Sequence, residues 1–161
     1  MSKLPKTDPL PHLHAAATTN GDVFAALADG LNATLGHRLF TALRYHRDSG
    51  ETERFYSSAP DAYPVGGRKP PNPTFWTQHL FVECKPYTGY DETDIRAVFF
   101  DHELILSLGC ESILNLPVCH QGQVIGTLNL LHGEHWYDKA DIALGQVFAA
   151  LALPAFLALQ D

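Results

Sequence analysis

At 161 residues, with 45% apolar side chains including nine Phe, six Tyr and two Trp, the chain has the makings of one globular domain that buries about 70% of its unfolded surface, which excludes intrinsic disorder and leaves no room for a second domain. A formal charge of −7 denies it the cationic surface that nucleic acid or an anionic membrane requires, so neither is expected as a partner. Three cysteines, an N-terminal stretch MSKLPKTDPLPHLH without the apolar core of a signal peptide, and no uninterrupted apolar run of about 18 residues predict a cytoplasmic location, reduced thiols and no membrane span.

In chain order, residues 1–17 carry Pro5, Pro9 and Pro11, which block regular pairing and predict an extended arm, leaving 18–161 as the domain. Asn20 or Asp22 is placed to cap a helix with Val23, Phe24, Leu27 and Leu31 at helical spacing and Gly36 just past its end. Segments 37–46 and 51–58 flank Asp48-Ser49-Gly50 and read as a hairpin. Residues 59–73 hold Pro60, Pro64, Gly66, Gly67, Pro70, Pro71 and Pro73, which predicts a long loop, and Gly66-Gly67-Arg68-Lys69 has the composition to hold an anion. Asn72-Pro73 opens a short helix through Phe75, Trp76 and His79, with a brief strand at Leu80–Glu83 after it. Asp91 or Thr93 then caps a helix running to Leu108 and ended by Gly109. Its apolar stripe of Ile95, Val98, Phe99, Ile105 and Leu106 includes His102.

Near-continuous apolar residues follow, first Ile113, Leu114, Leu116 and Val118, then Val124, Ile125, Leu128, Leu130 and Leu131, reversed by Gln121-Gly122. Neither strand alternates cleanly, so both faces of this hairpin are expected to be covered. A two-residue turn puts residue 115 opposite 128 and residue 129 opposite 114, which sends Asn115 and Asn129 to different faces. Gly126 inside the second strand implies a close approach of another element. Asp138 and Asp141 begin a last helix whose Ile142, Leu144, Val147, Phe148, Leu151 and Leu153 wrap more than one side, and this predicts pairing with a second subunit.

The segments LGCESILNLPV, GQVIGTLNLL and YDKAD, in this order of elements, resemble the GAF domain family over most of residues 21–158. The resemblance implies an α+β fold: a central antiparallel sheet in the order 2-1-5-4-3, terminal helices on one face and a ligand pocket on the other. It puts Phe75, Trp76, Phe99, Leu114 and Leu131 in the pocket walls, with His102, Cys110 and one of Asn115 or Asn129 as hydrogen-bonding groups. Cyclic-nucleotide binders of the family carry Asn-Lys on the fifth strand, where Leu131-His132 stands here, so no cyclic nucleotide is expected. Covalent bilin binders carry a Cys-His pair before the fourth strand, where Asp101 precedes His102, so no covalent bilin is expected either. His132 and His135 with Cys119 or His120 lack the paired spacing of a zinc site, and no metal is expected. The leading expectation is a sensory domain for a small, mostly apolar or aromatic ligand, working as a homodimer through its terminal helices and without catalysis. One alternative is an enzyme resembling the free-methionine-(R)-sulfoxide reductases, with Cys110 as its thiol; another is a fold used only for dimerisation.

Overall fold

The computed structural model describes residues 7–71 and 73–159, and its first element, helix α1 (Leu10–Thr18), lies where the prolines predict an extended arm. Pro9 and Pro11 stand at its N-terminal end, where the first turn has no use for an N–H, so they start the helix instead of preventing one. Leu13 and Ala16 then hold it against the main core. Residues 1–6 of the predicted arm lie outside the described residues.

Helix α2 (Val23–Thr34) is capped by Asp22, whose carboxylate accepts the N–H groups of Phe24 and Ala25. Strands β1 (Leu39–His46) and β2 (Glu51–Ser57) form the expected hairpin, and a two-residue strand, β3 (Arg68–Lys69), pairs with the outer edge of β2. Helix α3 (Phe75–Thr77) runs directly into a π-helical turn, Gln78–Val82, and the short strand β4 (Tyr87–Gly89) comes after it. The expected strand at Leu80–Glu83 is therefore wrong: consecutive Leu80 and Phe81 are both buried beside Val124, which a strand with alternating faces does not achieve and a helical turn does. Asn72, read as the start of this segment, lies outside the described residues.

The single helix expected up to Leu108 is two, α4 (Glu92–Val98) and α5 (His102–Ser107), separated by Phe99 in extended conformation. Strands β5 (Ser112–His120) and β6 (Gln123–His132) are the central hairpin, and helix α6 (Lys139–Leu157) closes the chain behind a reciprocal capping box between Asp138 and Asp141. The sheet order is β3-β2-β1-β6-β5-β4, all antiparallel. With β3 set aside as an edge extension, the remaining five strands run in the expected 2-1-5-4-3 order, with Tyr87–Gly89 in the place expected for Leu80–Glu83.

Helices α1, α2 and α6 cover one face, where Leu27, Leu31, Phe40, Leu114, Leu116, Leu128, Leu130, Phe148 and Phe156 form the main core. Two glycines let this layer close. A Cβ at Gly126 would lie 2.1 Å from the Phe156 ring and 2.6 Å from the Leu43 carbonyl oxygen, and one at Gly145 would lie 2.8 Å from Leu116. By length and composition α6 is an apolar helix able to cross a bilayer, against the expectation of no candidate span. Its Gly145, Phe148, Ala149, Ala152 and Phe156 are nevertheless buried in this domain's core. The opposite face carries a smaller cluster of Leu39, Ile95, Ile105, Ile113 and Leu131, and beside it the chain leaves a cavity.

Candidate functional site

The cavity has a volume of about 310 Å³ and a largely apolar lining, at the small end of ligand pockets. Its floor is the sheet: Thr41 and Leu43 of β1, Ile113 and Asn115 of β5, Asn129 and Leu131 of β6. Trp76, Thr77 and Phe81 roof one side, and the Val98–Asp101 linker with Ile105 roofs another. Thr52, Arg54, Tyr63 and Lys69 close the side toward β2 and the long loop. The Trp76 indole meets Phe81 and Phe99 edge-on, with ring centroids 5.5 and 5.4 Å away.

A polar line crosses this apolar floor. Trp76 Nε1–H donates to Asn115 Oδ1 (3.1 Å), Asn115 Nδ2 donates to Asn129 Oδ1 (2.7 Å), and Asn129 Nδ2 donates to Thr41 Oγ1 (3.2 Å). The opposite-face prediction for the two amides fails because of one residue. Gln121-Gly122 is indeed the turn, with His120 opposite Gln123 and Cys119 opposite Val124, but Val118 then pairs with Gly126 and leaves Ile125 unpaired. That bulge shifts the register by one, so Asn115 lies directly opposite Asn129 on the cavity face.

The rim holds a second constellation. Asp101 accepts hydrogen bonds from the Tyr63 hydroxyl and from Lys69 Nζ (3.0 Å), tying the α4–α5 linker to the long loop and to β3. Burial pushes the Asp101 carboxyl up, but the Tyr63 hydrogen bond and the Lys69 ammonium outweigh it and hold the pKa below its ordinary value. Burial and the adjacent Asp101 charge together push the Tyr63 phenol well above its usual range. The Arg54 guanidinium lies over the Tyr63 ring, 3.6 Å from its centroid, and donates through Nη1 to the Pro64 carbonyl (2.9 Å).

Of the residues expected at the site, Trp76, Phe99, Asn115, Asn129 and Leu131 line the cavity, and Phe75, His102, Cys110 and Leu114 do not. Phe75 is 65% exposed on the outer side of α3. Leu114 faces the terminal helices, because the register that brings Asn115 inward turns its neighbour outward. The break at Phe99 takes His102 off the apolar stripe: its ring Nδ1 lies 3.3 Å from Arg96 Nη1. Cys110 is fully buried in the cluster beside the cavity, and that burial pushes its thiol up to about 11, which disfavours the thiolate a reductase would need. Cys119, on the turn-side end of β5, is pushed to about 11 by burial and by neighbouring Cys84. Among the described residues no group of three or more His, Cys, Asp or Glu is gathered to hold a metal.

In the Gly66–Lys69 stretch, Arg68 pairs with Glu51 and Glu53 and Lys69 pairs with Asp101, so both cations already have carboxylate partners. Sequence reasoning missed Thr41, Arg54, Tyr63, Phe81 and Asp101. Thr52 and Arg54, two apart on β2, share the cavity face, but nothing in the sequence marks that face as the buried one.

The family model for the GAF domain matches residues 18–155. Among similar solved structures is the GAF domain of a two-component sensor histidine kinase from Bacillus halodurans, 13% identical, with 86% of this chain and 94% of that chain covered at a TM-score of 0.70. The phycocyanobilin-bound GAF domain from a cyanobacterial phytochrome is 16% identical, with 94% of each chain covered and a TM-score of 0.70. A segment of a methyl-accepting chemotaxis protein is 18% identical, with 94% of this chain and 97% of that chain covered and a TM-score of 0.65. No curated protein matches the sequence significantly. The sheet order, the helix layer on one face with a cavity on the other, and the model match over most of the chain lead to one conclusion: the chain belongs to the GAF domain family.

Proposed function

We propose that this chain is a sensory domain that binds a small, mostly apolar or aromatic molecule in the cavity over β1, β6 and β5, and that it works in the cytoplasm as a homodimer through its terminal helices. The observation that carries the reading is the line of Trp76, Asn115, Asn129 and Thr41 across an otherwise apolar floor. Few convergent polar groups on a mostly apolar wall are what fixes the orientation of a small ligand. Similar solved structures include domains of a sensor kinase, a phytochrome and a chemotaxis protein, and these support signalling as the setting. The high thiol pKa of buried Cys110 supports binding over thiol chemistry.

The reading is tested by titrating the protein calorimetrically with a panel of one-ring and two-ring aromatic compounds, with a Leu131→Trp variant alongside to fill the cavity. Saturable binding that the variant loses is the expected outcome. Absence of binding across the panel would leave the fold as a dimerisation module.

A further inference from the structure

The charges on the cavity wall do not cancel. Among the described residues of that wall, Arg54 and Lys69 stand against Asp101 alone, and Asp101 is already engaged by Lys69 and Tyr63. Arg54 is only 8% exposed, its Nε makes no hydrogen bond, and among the described residues no carboxylate forms an ion pair with it. Contact with the Tyr63 ring offsets part of the desolvation of this cation, but a buried guanidinium with an idle N–H remains costly until an anion meets it. Trp76, Phe81 and Phe99 line the other side of the same space.

Resting on the ligand-binding reading, we propose that the ligand is a small aromatic monocarboxylate, with its ring beside Trp76, Phe81 and Phe99 and its carboxylate on Arg54. One uncompensated positive charge suits a monoanion; a nucleotide or other polyanion would bring surplus charge into a chain of net charge −7. A guanidinium also recognises a planar carboxylate with more than one hydrogen bond, which a neutral amide does not match.

Phenylacetate and phenylacetamide share size and ring and differ in charge, so their calorimetric titration into the full chain tests the proposal. The acid is expected to bind about tenfold or more tightly than the amide, as a hydrogen bond to a charged group implies. Arg54→Met should reduce the acid to the level of the amide, and Arg54→Lys should keep a preference for the acid. Equal binding of acid and amide to the unaltered chain overturns the proposal without needing any variant to fold, and so does an acid preference that survives Arg54→Met. If the amide alone binds, the carboxylate falls and the ligand-binding reading stands. If neither binds and neutral indole also fails, both fall together.

Discussion

Asn115 and Asn129 are 2% and 4% exposed, and their amides satisfy each other, Trp76 and Thr41. Removing one leaves its partner's buried polar atoms idle, so Asn129→Leu should cost about 1–3 kcal/mol in urea unfolding. Asn115→Leu combined with it should cost clearly less than the two single changes summed, because the second change removes groups already orphaned. Additive costs would show that the amides act separately. Asp101 gives a pH-dependent counterpart. Its folded-state pKa lies below the ordinary 3.8, so the stability it contributes is fully present above that value and is lost as pH falls from there toward the folded value. An Asp101→Asn variant should show a flatter loss of stability over that acid window, measured by thermal melts, and an unchanged profile would show that the Tyr63–Asp101–Lys69 contacts contribute nothing to it. At this scale the sequence marks both amides as unusual in apolar strands, but a bulge at Ile125 has no local signature, so their shared face was illegible. Arg54 was hidden for another reason: beside Glu51 and Glu53 it reads as an ordinary surface charge, and only the folded long loop buries it.

Among the elements, the caps and the two hairpins follow from local chemistry, as Asp22, Asp91 and Asp138 show. The sequence placed Trp76 and Phe99 in the roof of the cavity but did not reveal how that roof is broken into shorter elements. The stripe from Ile95 to Leu106 is continuous in helical spacing, and neither Gly nor Pro interrupts it. The break at Phe99–Asp101 comes from tertiary partners, with Phe99 drawn to Trp76 and Asp101 to Tyr63 and Lys69, so periodicity alone could not find it. The π-helical turn at Gln78–Val82 has the same origin in the burial of Leu80 and Phe81. On the helix face, Gly126 was legible as a point of close approach, and the structure identifies Phe156 and the Leu43 carbonyl as what approaches. Gly126→Val should therefore destabilise the fold by about 3 kcal/mol or more, since one contact is rigid backbone and the other a buried ring. An unchanged melting temperature would contradict this packing.

For the whole molecule, the pairing of a covered helix face with an open cavity face was anticipated from the double coverage of the central hairpin, and the cavity itself is a product of the non-local roof. The terminal helices leave Leu10, Val147 and Leu157 exposed at 68%, 46% and 52%, whereas Phe148, which the sequence offers for subunit pairing, is buried inside the domain. The proposed homodimer should use this outer face, so Val147→Glu with Leu157→Glu should shift sedimentation at micromolar concentration from dimer to monomer with little change in melting temperature. A monomer before any substitution would sink the pairing. The central claim, that the space over β1, β6 and β5 receives a ligand, is tested most directly by two-dimensional NMR of the nitrogen-labelled protein titrated with an aromatic carboxylate such as phenylacetate and with neutral indole. The Trp76 indole N–H and the side-chain amides of Asn115 and Asn129 report from the cavity floor, and at least one of the two compounds is predicted to shift all three signals together, saturably, while the Trp136 indole N–H, bonded to the Leu35 carbonyl on the other side of the sheet, stays still. Absence of shifts with both compounds, or shifts confined to α1 and α6, would contradict the account.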